Sequence, residues 1–154
     1  MIVVDANVMV LALSSPTAEG DAARSAMAAD DTWLGPAHMP LEVIRTLRKA
    51  VVSGRLREND AVAAHDALLA AEITYIGTSE ALLRAVWAMR HNVSAYDAAY
   101  LVVAAEHDAR LVTFDARLAK AAEQVAPFVS VLTLGPARSG RPRGDDRQAG
   151  TGPG

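Results

Sequence analysis

Apolar residues fall into two alternating patterns along this chain. Short β-branched runs, such as residues 2–4, are typical of buried strands, whereas the segments between them carry apolar residues at the spacing of a helix face. Strands are predicted at residues 2–4, 32–34, 73–76, 110–114 and 128–134. Helices are predicted just after Asn7 and at about 19–29, 41–52, 59–71, 80–91, 94–105 and 116–125.

This alternation predicts the fold class. Strands that alternate with helices indicate a parallel sheet covered by helices on both faces. We therefore expect an α/β fold, a three-layer sandwich with a four- or five-stranded parallel sheet, as one domain over residues 1–134. From Gly135 onward Gly, Pro and Arg dominate, which predicts a disordered tail over residues 135–154.

The pattern also predicts which side chains face the core. The helix that begins at Ser94 is almost wholly apolar, so a central and nearly buried position is expected for it. Gly35 and Pro36 are expected to close the second strand. On the helix over residues 41–52, the residues predicted to point inward are Leu41, Ile44, Leu47 and Val51.

Composition narrows the classes of protein. The 154 residues contain no cysteine, which excludes disulfides and thiolate metal sites and agrees with a cytoplasmic location. No apolar run approaches the roughly 20 residues of a membrane span, and no basic signal-peptide region precedes the first strand. The net charge is −3, divided into −5 over residues 1–135 and +2 over residues 136–154. An acidic body argues against broad nonspecific nucleic-acid binding but permits a local basic surface.

Four acidic residues stand out by their positions. Asp5 and Asp115 each end a predicted strand, and Glu42 and Asp97 each lie in the first turn of a predicted helix. In a parallel sheet the carboxyl ends of strands and the beginnings of the following helices share one edge. The four carboxylates are therefore expected to converge.

Each acid also has a purely structural interpretation. Asp5 and Asp115 are suited to cap the helices that follow them, and Asp97 forms a capping-box-like pair with Ser94. Glu42 is suited to an ion pair with Arg45 or to the helix dipole. It is less probable that all four acids have only structural roles at the same sheet edge than that one of them does.

Convergence would require a cation. Two unit charges about 4 Å apart repel by about 4 kcal/mol at an effective dielectric of 20, so four carboxylates need protons or a metal ion. Oxygen ligands without cysteine, and without a histidine cluster, suit Mg²⁺ or Mn²⁺. The chemistry that follows is metal-dependent hydrolysis of a phosphodiester.

Four motifs carry a family resemblance: Val3-Val4-Asp5-Ala6-Asn7, Pro40-Leu41-Glu42-Val43, Ser94-Ala95-Tyr96-Asp97-Ala98-Ala99-Tyr100 and Leu111-Val112-Thr113-Phe114-Asp115. In this order and at these intervals they resemble the PIN-domain ribonucleases, and look most like the VapC-type toxins of bacterial type II toxin–antitoxin pairs. The resemblance covers residues 1–134.

The resemblance implies a role for each matched residue. Asp5, Glu42, Asp97 and Asp115 match the family's acidic metal-binding quartet, and Asn7 and Thr113 match polar positions beside it, in contact with the ligands or with a phosphate. It implies an endoribonuclease that uses Mg²⁺ or Mn²⁺, acts on RNA such as tRNA or rRNA, forms a homodimer and is inhibited by a cognate antitoxin. Many members carry a further acid just after the last Asp, where this chain has Ala116 and Arg117.

The sequence also contains other candidate residues and permits other functions. Arg45, Arg48 and Lys49 share the helix of Glu42 and are candidates for RNA contact or for a solvated face. The four histidines are interpreted as surface or packing residues. Two alternative functions remain: a non-catalytic module of the same fold that binds RNA or protein, and a HAD-type phosphatase, which expects a second Asp where Asn7 stands.

Overall fold

The computed structural model describes residues 1–135, and it contains five strands and seven helices. The predicted disordered tail lies outside the described residues except for Gly135. The elements in chain order are β1 (Ile2–Val4), α1 (Ala6–Ser14), α2 (Ala18–Ala28), β2 (Trp33–Pro36), α3 (Met39–Val52), α4 (Glu58–Ala70), β3 (Ile73–Ile76), α5 (Glu80–Ala88), α6 (Ala95–Glu106), β4 (Arg110–Thr113), α7 (Ala116–Val125) and β5 (Val131–Thr133).

The strands form one parallel sheet in the order β3-β2-β1-β4-β5. β1 is the central strand, and its three residues are buried because both sheet faces are covered. The predicted α/β fold is confirmed, with five strands. The chain runs from β1 outward through β2 to β3, then crosses to β4 on the other side of β1. The carboxyl ends of β1 and β4 therefore flank a topological switch point, the usual ligand crevice of such sheets.

Helix α6 is the central helix of the domain. All residues from Ala98 to Ala104 are buried, and the helix packs against β1, β2 and β4. This confirms the burial expected from its apolar sequence. Since the strands are parallel and α6 leads into β4, the N-terminus of α6 lies at the same sheet edge as the carboxyl ends of the strands.

The predicted inner face of α3 is confirmed for Leu47, which is buried, and was wrong for Leu41 and Ile44, which are exposed. Val51 is half-buried, and the other buried residues of the helix are Met39 and Val43. Apolar residues occupy two faces of this helix, and packing against α1 and α4 selects the one that includes Met39.

The end of the second strand was also predicted wrongly. Gly35 and Pro36 pair with Tyr75 and Ile76 of β3, so they belong to β2 rather than close it. The strand therefore extends further toward the start of α3 than its apolar residues alone indicate.

Within residues 1–135, no helix combines the length and apolar character needed to cross a bilayer.

Candidate active site

Asp5 lies where β1 meets α1, at the switch point of the sheet. It caps α1, and its side chain is buried, with 8% of the residue exposed. Oδ2 accepts hydrogen bonds from Thr113 Oγ1 at 2.5 Å and from Asn7 Nδ2 at 2.8 Å. Oδ1 accepts a long bond from the backbone N–H of Asn7 at 3.4 Å. The carboxylate is therefore held in one orientation by its neighbours.

Thr113 and Asn7 tie the ends of β1 and β4 together. Thr113 is fully buried, and its Oγ1 accepts from the backbone N–H of Asp115 at 2.9 Å and from Asn7 Nδ2 at 3.2 Å. Asn7 Oδ1 accepts from the backbone N–H of Phe114 at 3.1 Å. The two residues predicted to lie beside the acids thus support Asp5 directly.

Burial is the largest influence on the charge of Asp5. It raises the pKa of Asp5 from 3.8 to about 6, although the hydrogen bonds from Thr113 and Asn7 oppose the change. The negative charges of Glu42 and Asp97 contribute smaller parts of the same rise. Three of the four predicted acids therefore lie close enough to influence one another.

Glu42 lies in the first turn of α3 and is held by residues that sequence reasoning missed. Its Oε2 accepts a hydrogen bond from Tyr100 Oη at 2.7 Å and lies 3.5 Å from His38 Nε2. The predicted ion pair with Arg45 is not formed among the described residues. His38 stands four residues before Glu42, a spacing that brings side chains together on a helix. Tyr100 offered no such local signal.

Asp97 lies in the first turn of α6, where Ser94 caps the helix. Ser94 Oγ donates to Asp97 Oδ2 at 2.8 Å and accepts from the backbone N–H of Asp97 at 3.1 Å. The predicted pairing with Ser94 is therefore confirmed. It engages one oxygen of the carboxylate.

Asp115 caps α7, and both of its oxygens have partners in the protein. Oδ1 accepts from the backbone N–H groups of Arg117 at 2.8 Å and Leu118 at 3.3 Å, and Oδ2 lies 3.3 Å from the Arg117 guanidinium. Partial burial alone would raise the pKa of Asp115, but the hydrogen bonds and charge of Arg117, with the Leu118 N–H, lower it below its ordinary value. This acid is stabilised by its own helix.

The four acids line two neighbouring regions of the sheet edge. Asp5 and Glu42 line a cleft of about 370 Å³ with Asn7 and Arg45. Asp97 and Asp115 line a cavity of about 210 Å³, whose other lining residues include Ser94 and Arg117. Over residues 1–135, no three His, Asp or Glu side chains are placed to hold one metal ion together. The four acids therefore lie at one edge of the sheet but do not surround a single metal position.

The basic candidates on α3 divide in the same way. Arg45 lines the cleft of Asp5 and Glu42, whereas Arg48 lines an apolar groove between α3 and α4, and Lys49 is exposed.

His38 is a packing residue, as interpreted from the sequence, and its ring meets Tyr96 and Tyr100 edge-on at centroid distances of 5.1 and 5.5 Å.

Replacing Thr113 with valine should lower the free energy of unfolding by about 1–3 kcal/mol, because it removes a buried hydroxyl that makes three hydrogen bonds. The groups that lose this partner are the backbone N–H of Asp115, Asn7 Nδ2 and Asp5 Oδ2. Urea unfolding at neutral pH measures this change, with Thr133→Val on the exposed part of β5 as the matched control. Equal unfolding midpoints for the two variants would contradict the structural role of Thr113.

Comparison with known proteins identifies the family. The PIN domain model matches residues 2–124. Ribonuclease VapC1 of Mycobacterium tuberculosis, in strains CDC 1551 / Oshkosh and H37Rv alike, is 37% identical over 119 residues, which span 77% of this chain and 89% of the relative. The crystal structure of Mycobacterium tuberculosis VapC20, a sarcin–ricin loop cleaving toxin, shares the fold with a TM-score of 0.60 and 20% identity, over 79% of this chain and 95% of that one. The chain belongs to the PIN domain family, as a ribonuclease of the VapC type.

Proposed function

We propose that this chain is an endoribonuclease that uses Mg²⁺ or Mn²⁺ to hydrolyse RNA phosphodiester bonds at the edge where β1 and β4 end. Nucleases of this family are typically metal-dependent. The observation that carries the proposal is the buried carboxylate of Asp5 at the switch point, where burial together with the charges of Glu42 and Asp97 raises its pKa to about 6. A cation at this edge would offset that penalty on the charged form.

The donor chemistry fits such a cation. Asp5, Glu42 and Asp97 would hold it through carboxylate oxygens, with Asp115 as a fourth candidate. Mg²⁺ is usually bound through one or two carboxylates together with waters and substrate phosphates, so a closed ring of protein ligands is not required. When bound, the cation supplies positive charge that polarises a phosphate oxygen and makes water more acidic.

The chain's own residues would prepare the site around the ligands. Thr113 and Asn7 fix the orientation of Asp5 through their hydrogen bonds. Arg45 is exposed and lines the cleft, which suits contact with a phosphate of the RNA backbone. Arg48 and Lys49 would bind RNA only if it extends along α3.

The RNA target and the protein partners of this chain are also proposals. VapC20 cleaves the sarcin–ricin loop, and for this chain we propose a target in tRNA or rRNA. We also propose that the chain forms a homodimer and is inhibited by a cognate antitoxin protein; the antitoxin is supported by the similarity to VapC-type ribonucleases.

The test is cleavage of a mixed tRNA and rRNA pool by the purified protein in Mg²⁺, in Mn²⁺ and in EDTA. Cutting at few sites should appear with either metal, disappear in EDTA and return when excess Mn²⁺ is added. Cutting that persists in EDTA would overturn the metal dependence. RNA binding without cutting under all conditions, together with no heat of Mn²⁺ binding in calorimetry, would favour the non-catalytic module.

A further inference from the structure

Glu42 is connected to a distant part of the chain through a single buried hydroxyl. Tyr100 lies 58 residues further along, on α6, and its Oη donates to Glu42 Oε2 at 2.7 Å. Tyr100 is among the most buried large side chains, with 1% of the residue exposed. A buried hydroxyl that reaches a carboxylate on another helix indicates a specific function for the contact, since a phenylalanine would fill nearly the same volume.

The direction of this hydrogen bond follows from the two groups. Tyr100 Oη is the donor and Glu42 Oε2 is the acceptor, because a carboxylate oxygen without a proton can only accept. Since Tyr100 is buried, the donor that reaches Oε2 comes from a side chain fixed in the core.

The surroundings restrict the Glu42 side chain further. His38 Nε2 is buried, lies 3.5 Å from the same Oε2, and finds no hydrogen-bond partner in the described part of the chain. The His38 ring is itself packed edge-on against Tyr100 and Tyr96. Oε2 is thus enclosed by two rings, whereas Glu42 Oε1 accepts no hydrogen bond within residues 1–135.

We propose that Tyr100 is a positioning residue that holds Glu42 Oε2, so that Oε1 is the oxygen offered to the cation and the attacking water. This inference rests on the proposed function. Tyr100 itself touches neither RNA nor metal, because it is enclosed in the core. Partners that orient a ligating carboxylate typically contribute 10–100-fold to metal affinity or activity.

The experiment compares Tyr100→Phe with the wild-type protein. Mn²⁺ affinity, measured by calorimetry without RNA, should fall about 10-fold, and kcat should fall by a similar factor. KM for RNA should not change, because Tyr100 lies away from the surface. If the Tyr100 hydroxyl only stabilised the fold, Tyr100→Phe would lower the urea concentration at the midpoint of unfolding. It would not lower kcat while leaving KM unchanged.

The matched control is Tyr96→Phe. Tyr96 lies on the same helix and packs against the same His38 ring, but its hydroxyl makes no contact with Glu42. This variant should keep the wild-type Mn²⁺ affinity and kcat. Loss of metal affinity in Tyr96→Phe to the same degree would overturn the specific role of the Tyr100 hydroxyl.

A double-mutant cycle removes the remaining ambiguity. If Tyr100 acts through Glu42, then Tyr100→Phe should cause no further loss of Mn²⁺ affinity in a Glu42→Ala background. An equal loss in both backgrounds overturns the inference, as does wild-type affinity in Tyr100→Phe. A wild-type protein that neither binds Mn²⁺ nor cuts RNA would overturn the proposed function as well, so the two failures are distinguishable.

Discussion

Asp5→Asn is expected to lower the rate of RNA cleavage by about 10³-fold. The carboxylate at this position is the most buried of the four acids and lies at the switch point of the sheet. Asparagine has nearly the same shape but removes the charge that would hold the cation. Losing a cation's stabilisation of the transition state, about 4 kcal/mol, corresponds to about 10³-fold in rate.

The control for this variant is Asp66→Asn. Asp66 lies on α4 with its side chain 71% exposed, so the same chemical change occurs away from the sheet edge. The rates should be measured with purified protein on one RNA that the wild type cuts at a defined site. Residual cutting by Asp5→Asn within about 10-fold of the wild type would mean less than about 1.4 kcal/mol of stabilisation, and another residue would have to bind the metal.

The core of this fold is predictable from local sequence. The β-branched run before Asp5 and the helical spacing after it determine β1 and α1 with no reference to the rest of the chain. Helix α6 is equally clear, because it is apolar on all sides. Helix α3 is different, since Leu41 and Ile44 compete with Met39 and Val43 for the inner face. Only the packing of neighbouring helices resolves that competition.

The site is predictable to the level of the sheet edge. Parallel topology places strand ends and helix starts together, so the neighbourhood of Asp5, Glu42 and Asp97 follows from element order. The capping of α7 by Asp115 also follows from the sequence, whereas the division of the acids between two cavities and the contact of Asp115 with Arg117 do not. The contact between Tyr100 and Glu42 joins two helices that only the tertiary structure brings together.

The same substitution, Asp5→Asn, is expected to stabilise the metal-free protein. The pKa of Asp5 is about 6 in the folded protein and 3.8 ordinarily, a difference of about 2 units, which corresponds to about 3 kcal/mol. Between these values the folded protein binds more protons than the unfolded chain. Stability therefore falls as pH rises through this window, and the full penalty applies above the folded pKa. Asparagine carries no charge, so the Asp5→Asn variant does not have this penalty.

Urea unfolding in EDTA at pH 4.5 and pH 7.5 measures this effect. The advantage of Asp5→Asn should be about 1 kcal/mol at the lower pH and about 3 kcal/mol at the higher, while Asp66→Asn should show no such trend. Mn²⁺ should then raise the stability of the wild type by more than that of Asp5→Asn, because the variant lacks one of the carboxylates proposed to hold the ion. An Asp5→Asn protein that is less stable than the wild type at pH 7.5 would show that the hydrogen bonds from Thr113 and Asn7 outweigh burial. In that case the charged carboxylate is already stable without a cation, and the main electrostatic reason for placing a metal beside Asp5 is lost.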